Sequence, residues 1–496
     1  MAATYAIRPL GKFETYHSSR SAMGLYPFAA QTCQYSSPKS ATLDSCRLKI
    51  RAALKQTILE ITALQVGIGS ADTNEPYFLR LPSLNLSNHL EWRDLSQETP
   101  NVYDVALINA LESEHTIDWQ DVSTKPSWKL VVFQGSVSGP DSGLTFDLLF
   151  EAHHSIADGK SLSVFHERFA SILNRLSEDP EQTEDLVTLP SSSTLTPPLE
   201  NLMSFEISKK YLFKTLWGEF APGWIRGQPA APPWTGAPIS LAKRPIHTRL
   251  VTLSADSVSR LLESCRAHKT TITPLISALI ATSLAKRLPE KDTLGGLTPL
   301  TVIALRPFAD QSKIPDGIEL EDAMGDVVTG LSHNISVSNI SELRSLGYAE
   351  SNAAEDREAP IWALTAKLGA EIKQRLATLP KDDITGLLQW VSDWFKRARD
   401  QEGKLRGDTF ELSNIGVMSP VPDAKWILRR SIFSQSVNAF GPALSVNVSS
   451  VADGPMTMTL IWGDGIVSSE LMNGLTADLD QWLNNVGSGG FGVGTA

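Results

Sequence analysis

The passage that most constrains this chain is one where a strand pattern becomes a helix pattern across a seven-residue turn. From 144 to 152, Leu144, Phe146, Leu148 and Phe150 recur at every second position, the alternation of a strand with one buried face. Beyond the turn, Leu162, Phe165, Phe169, Ile172 and Leu173 recur at helical spacing. Between the two stands His153-His154-Ser155-Ile156-Ala157-Asp158-Gly159. Neighbouring strand side chains point to opposite faces, so at most one of these histidines enters a given cleft, and the other packs or hydrogen-bonds locally. An imidazole is suited to take a proton from a hydroxyl near neutral pH and to pass it to a departing thiolate. Asp158, across the turn, either orients that imidazole or, as preferred here, holds the turn through an arginine or backbone N–H groups. Gly159 is read as supplying a backbone angle that other residues resist. A pair of satisfied core histidines is the bland alternative. A metal site is not expected, because HxxxD on a turn offers only two or three ligands and no cluster in the sequence completes the set.

At 496 residues the chain exceeds what one ordinary core organises, so two domains, or one with long insertions, are expected. With 42% hydrophobic and 20% charged residues the composition is globular. A net charge of -11 argues against nucleic-acid binding, which needs a basic surface to displace counterions. It leaves room for a small anionic co-substrate held by a few local cations. Cys33, Cys46 and Cys265 are scattered with no CxxC spacing, which fits a reducing compartment and small core residues. The opening MAATYAIRPLGKFETY lacks the basic-then-apolar run of a signal peptide, and no apolar stretch is long enough to span a bilayer. A cytoplasmic protein with no membrane span is expected.

The rest of the pattern is mixed α/β. An opening turn leads to a strand over 28–35, an amphipathic helix over 43–64, short strands over 77–81 and 89–95, and a strand over 128–134. From 176 to about 240 the chain is rich in Pro, Ser and Thr, a connection long enough to bridge two domains, with a short helical stretch over 205–216. The second half restarts with a strand over 248–253 and a helix capped by Ser254. Thr273-Pro274 reads as an N-cap and first helical residue, opening an apolar helix over 275–288. An apolar strand over 300–305 ends at Arg306-Pro307; helices over 359–378 and 383–399, strands over 410–412, 443–451 and 456–461, and a closing helix over 471–483 follow. The expected domains are 1–180, carrying the histidine motif, and 241–485, joined by a crossover linker over 181–240 and followed by a flexible tail over 486–496. Gly487, Gly489 and Gly492 spell GxGxxG, but no helix follows them, so no dinucleotide site is read there.

HHxxxDG after a strand resembles the superfamily of chloramphenicol acetyltransferase, the plant BAHD acyltransferases and the condensation domains of peptide synthetases. Within it, the opening IRPLGKFETYHSSR, the segment PSWKLVVF and Leu412-Ser413-Asn414-Ile415-Gly416 resemble the fungal alcohol O-acetyltransferase family, from Arg8 to about Leu483. The plant branch's DFGWG is absent. The resemblance implies two pseudo-symmetric domains of mixed sheet and helices, with an active-site tunnel at their interface. It implies His154 as general base, His153 as a motif residue, and Asp158 turned away to pair with an arginine, for which Arg306 is the candidate. Ser413 or Asn414, with Gly416 letting the backbone approach, would donate to the oxyanion of a tetrahedral intermediate; an ordinary Ser/Asn/Gly turn is the alternative. Glu14 and Tyr16 either line an acceptor pocket or fix the N-terminal turn.

The expected protein is a monomeric O-acyltransferase with acetyl-CoA as co-substrate and no tightly bound cofactor, acting by direct transfer in a ternary complex. Its acceptor would be a small-molecule alcohol of secondary metabolism, a terpenoid or polyketide among the candidates. The residues that contact CoA are not identified from the sequence. Two rivals are a condensation-type enzyme that takes its acyl group from a carrier protein and a non-catalytic binding protein of the same fold.

Overall fold

The computed structural model describes residues 5–96, 99–135, 143–178, 180, 184–191, 194–220, 231–346, 354–486 and 491–493. Two mixed sheets dominate it. The first orders Ile427–Gln435, Ala29–Ser36, Thr145–Ala152, Trp128–Gln134 and Leu90–Asp94; the second orders Ile246–Leu253, Met456–Gly463, Leu444–Val451, Phe410–Met418, Pro299–Ala304 and Val328–Ser332.

The alternating strand Thr145–Ala152 lies in the middle of the first sheet, paired antiparallel with Ala29–Ser36 (Cys33 opposite Leu148) and with Trp128–Gln134. Leu148 and Phe150 enter the core on one face, where Phe150 stacks on Phe165 of the helix Gly159–Arg175 at 3.6 Å between centroids. That contact explains the hydrophobic period on both sides of the turn. In the second half the helix Ile272–Arg287 is buried from Pro274 to Ala285, as its nearly uniform apolar character requires. It starts one residue before Thr273, with Thr271 as the N-cap residue.

The halves are not closed units. The strand Ile427–Gln435 comes from the second half of the chain yet forms the edge of the first sheet, with Ile432 opposite Thr32. Arg429 and Arg430 interrupt its apolar pattern, and Arg430 is spent on Asp104 and Asp147. Other departures from expectation are local. The opening turn is a helix, Lys12–Ala22, and a further helix, Pro100–Glu114, lies where none was read. The helix expected over 383–399 is a 3-10 turn, Ile384–Trp390, and a short helix, Trp394–Arg399, each capped by an aspartate. The linker carries the helix Lys209–Phe220; residues 221–230 lie outside the described residues. The tail expected to be flexible is packed where it is described. Val486, Phe491 and Val493 are buried, Phe491 lies 5.4 Å from the Trp362 ring, and its amide donates to Glu358. Gly487 and Gly489 lie outside the described residues. Among the described residues, no helix is long and apolar enough to cross a membrane.

Candidate active site

The strand Thr145–Ala152 ends where the histidine pair begins, so both rings sit in the turn itself and not on the pleat. His153 is buried; its amide donates to the Ser127 carbonyl at 2.9 Å, and its Nδ1 accepts from the Ser155 amide at 3.0 Å. Burial first, then the neighbouring His154 and Arg20 charges, push its pKa down to about 3, so it stays neutral. His154 turns the other way, its side chain 13% exposed. Of the two rings, this one is accessible.

Two residues from elsewhere in the chain meet His154, and a third stands behind one of them. Its ring stacks on that of His17 at 3.8 Å between centroids and 10° between planes. Its Nδ1 lies 3.4 Å from Oδ1 of Asp326, whose Oδ2 lies 3.2 Å from Nε2 of His17. These are long polar contacts and not aligned hydrogen bonds: both Asp326 oxygens and His154 Nδ1 are buried without a well-formed partner. Burial, with the Asp158 and Glu14 charges, outweighs the pull of His154 and leaves the Asp326 carboxyl raised to about 6. Arg20, itself buried between the Tyr16 and Tyr26 rings at 4.1 and 4.6 Å, donates from Nη2 to Nδ1 of His17. Burial, with the His154 and Arg20 charges, holds His17 well below its usual pKa.

Asp158 does not contact this group of side chains through its carboxylate. Fully buried, it accepts from Arg306 Nη1 at 2.6 Å and Nη2 at 3.0 Å, from the Ser161 amide and hydroxyl at 2.9 and 2.8 Å, and from the Val327 amide at 3.0 Å. Burial alone would raise its pKa; the Arg306 charge and these donors hold it below the ordinary carboxylate range. Its own amide donates to the Gly325 carbonyl at 3.1 Å. Asp158 thus grips the backbone on both sides of Asp326, and the loop it holds is the one that carries Asp326 to His154. The carboxylate against the imidazole is Asp326; Asp158 holds it in place through that loop and also acts on it through its charge.

Gly159 has an ordinary negative φ, contrary to the sequence reading. A Cβ there would lie 2.4 Å from Cγ2 of Ile415, so the position needs glycine for close approach. Gly416 shows the reverse. Its φ is +88° and its added Cβ would meet nothing within 4 Å, so it serves the irregularity between Asn414 and Val417.

Ser413 and Asn414 leave the strand Phe410–Met418 on opposite faces. Asn414 is committed, donating to Thr273 Oγ1 at 3.2 Å and accepting from the Gly416 amide at 3.0 Å. Ser413 shares its face with Glu411, whose Oε1 accepts from Gln435 at 2.6 Å; Gln435 in turn accepts from the Tyr26 hydroxyl at 2.6 Å. The Tyr26 ring lies 5.6 Å from that of His154. Burial raises the Glu411 carboxyl, and the nearby His154 and Arg20 charges lower it. Ser413 is therefore the oxyanion candidate on the side of the histidine.

Ligand atoms of His17, His154 and Asp326 lie within 4.8 Å of one another, the spacing a divalent ion would need. Arg20 counts against one. A guanidinium only donates, so His17 Nδ1 is its acceptor, and the neutral ring carries its proton on Nε2, the atom that would have to bind the ion.

Sequence reading missed His17, Arg20, Tyr26 and Asp326. His17 and Arg20 stood inside the family-like opening, one helical turn apart, which was the available signal. Asp326 has no motif around it. Glu14 belongs to the N-terminal turn: it takes two bonds of 2.7 Å from Arg8 and one of 2.6 Å from the Gly11 amide. Tyr16 packs on Arg20 and lies 5.1 Å from Trp394.

The sequence model of the alcohol acetyltransferase family matches residues 96–473. A probable alcohol acetyltransferase of Fusarium pseudograminearum, FCK4, is 28% identical over 98% of this chain and 96% of its own. Another probable alcohol acetyltransferase, crmB of Aspergillus fumigatus, is 24% identical over 93% and 96%. Among solved structures, TRI3 trichothecene 15-O-acetyltransferase of Fusarium sporotrichioides superposes with a TM-score of 0.66 at 12% identity, covering 96% of this chain and 97% of its own. The first condensation domain of the calcium-dependent antibiotic synthetase gives 0.61 at 11% identity, covering 97% of each. Both likenesses establish the fold.

Proposed function

The chain belongs to the alcohol acetyltransferase family and is an acyltransferase, and from that premise we propose that it moves an acetyl group from acetyl-CoA to a small-molecule alcohol with His154 as general base. The observation that carries this reading is the His154 ring, accessible on one side and backed by the buried Asp326 carboxylate at Nδ1 on the other. With the proton on Nδ1, Nε2 is free to accept the proton of the alcohol. The alkoxide attacks the thioester carbon, and the Ser413 hydroxyl donates to the oxyanion that forms. Collapse breaks the carbon–sulfur bond, and the imidazolium returns its proton to the thiolate, leaving the ester and free CoA. No acyl-enzyme is required. Donor and acceptor would approach His154 from opposite ends of a tunnel between the halves.

The acceptor we favour is a secondary metabolite with a free hydroxyl, a terpenoid or polyketide alcohol. One protein of the same fold is a trichothecene 15-O-acetyltransferase, a precedent for a small-molecule hydroxyl. We place the enzyme in the cytoplasm as a monomer.

The test is thiol release from acetyl-CoA with terpenoid, polyketide and short-chain alcohols, run beside His154→Ala and Ser413→Ala. Alcohol-dependent release should vanish in the first variant and fall about a hundredfold in kcat in the second. Activity surviving in His154→Ala would reject the base. Release from an acetylated carrier protein, with none from acetyl-CoA, would reject the free-CoA donor.

A further inference from the structure

The reaction as written uses Asp326 only as the carboxylate behind His154, and it does not use the buried His17 and Arg20 at all. We infer that the three form a fixed-direction relay, Arg20 to His17 to Asp326, which positions His154 and keeps its proton on Nδ1. The inference rests on His154 being the base.

The direction follows from what each group is able to do. Arg20 donates and never accepts, so His17 Nδ1 must be unprotonated where the guanidinium meets it. The His17 proton then sits on Nε2, 3.2 Å from Asp326 Oδ2. A donor on that side leaves Asp326 Oδ1 as an acceptor, 3.4 Å from His154 Nδ1. His154 meets it by carrying its proton on Nδ1, which bares Nε2. The long contacts are those of a site before its substrates bind, where catalytic hydrogen bonds are often loose and tighten in the complex.

The relay also divides the charge. Groups facing Asp326 are His17 and Glu14 from the first helix, His154 and Asp158 from the motif turn, and Tyr26 just beyond that helix, while Arg20 stands behind His17 and Tyr26. Among the histidines here, His17 is held neutral by burial and by the His154 and Arg20 charges, so a positive charge on the stacked pair can sit only on His154. A neutral ring at 3.8 Å and a carboxylate at Nδ1 then both favour the imidazolium that forms as the alcohol is deprotonated. Asp326, His17 and Arg20 touch no reacting atom; they are positioning residues.

The test begins with Asp326→Asn, which keeps the shape and offers His154 Nδ1 a donor amide. The wrong tautomer should follow, lowering kcat by about a hundredfold or more with KM for acetyl-CoA little changed. The acid limb of kcat/KM should move to lower pH, because the imidazolium loses its carboxylate. His17→Gln can accept from Arg20 and donate to Asp326, so it should keep most of the kcat that His17→Ala loses. Independently of activity, nitrogen-15 spectra of labelled histidine in the native enzyme should show His154 protonated on Nδ1 and His17 on Nε2, assigned by the His154→Ala and His17→Gln variants. His154 found on Nε2, equal kcat in Asp326→Asn and native enzyme, or equal loss in both His17 variants would overturn the relay. So would a stoichiometric divalent ion whose chelation abolishes activity. His154→Ala activity separates the two readings: its survival removes the base, whereas its loss beside an active Asp326→Asn removes only the relay.

Discussion

Two buried aspartates one loop apart have opposite surroundings. Asp158 receives five hydrogen bonds, two of them from a buried arginine, and is held ionised. Asp326, equally buried, has two histidines at 3.2 and 3.4 Å and no aligned donor, and its carboxyl is pushed up to about 6. A fully supplied carboxylate is a fastener: every lone pair is used and nothing is left to respond to a substrate. A poorly supplied one is costly in the resting fold and useful where charge appears during a reaction. The two are built together, since Asp158 binds Gly325 and Val327 on either side of Asp326.

The strongest way to break this comparison is Asp158→Ala. It strands the Arg306 guanidinium, 2% exposed, without its carboxylate, and should cost about 3–5 kcal/mol in denaturant unfolding. Adding Arg306→Met should recover part of that loss, because the stranded charge leaves as well. Activity should fall too, through the loosened 325–327 loop. A cost no larger than that of a surface substitution would mean the clamp holds nothing.

Asp326→Asn should have the opposite sign on stability. A carboxyl whose folded pKa is raised is most compatible with the fold when protonated, below its unfolded value. It opposes the fold as pH rises from its ordinary value of 3.8 through about 6. Removing the charge should therefore stabilise the protein by about 1–2 kcal/mol at pH 7, less than the full linkage because the amide is also poorly hydrogen-bonded. The gain should shrink toward zero near pH 4. A more stable, nearly inactive variant is the expected outcome; a less stable one at pH 7 would show that Asp326 is a fastener as well.

Much of the clamp was legible in sequence and little of its counterpart. The alternation ending at Ala152 and the helical period after Gly159 fixed where the turn had to be, and Arg306 stood out as a charge closing an apolar strand. Both signals are local, because strand and helix periods are local properties of a chain. Asp326 gave no such signal: what makes it unusual is the absence of donors in three dimensions, contributed by segments far apart in sequence. The strand Ile427–Gln435 was hidden for a related reason. Its two arginines look like loop residues until Asp104 and Asp147 are seen beside Arg430. Phe491 was obscured by the glycines around it, which describe the backbone's freedom and say nothing of where one aromatic ring docks.

The smallest expected effect probes the join between the two aspartates' surroundings. Gly159 follows Asp158 directly, and its missing Cβ is what lets Ile415, beside Ser413 and Asn414, close on the motif turn. Gly159→Ala would place a methyl group 2.4 Å from Ile415 Cγ2. Alanine's better helix propensity offsets part of the overpacking, so the net loss should be about 1 kcal/mol. The second substitution Ile415→Ala removes Cγ2, and the pair should then lose less than the two single changes added together, a coupling read from a double-mutant cycle. If the losses simply add, the turn and the Ser413 strand are not in register through this contact. If they couple, the glycine of the motif is there to bring the His154 turn and the Ser413 strand together, and Asp158 is there to hold that approach in place.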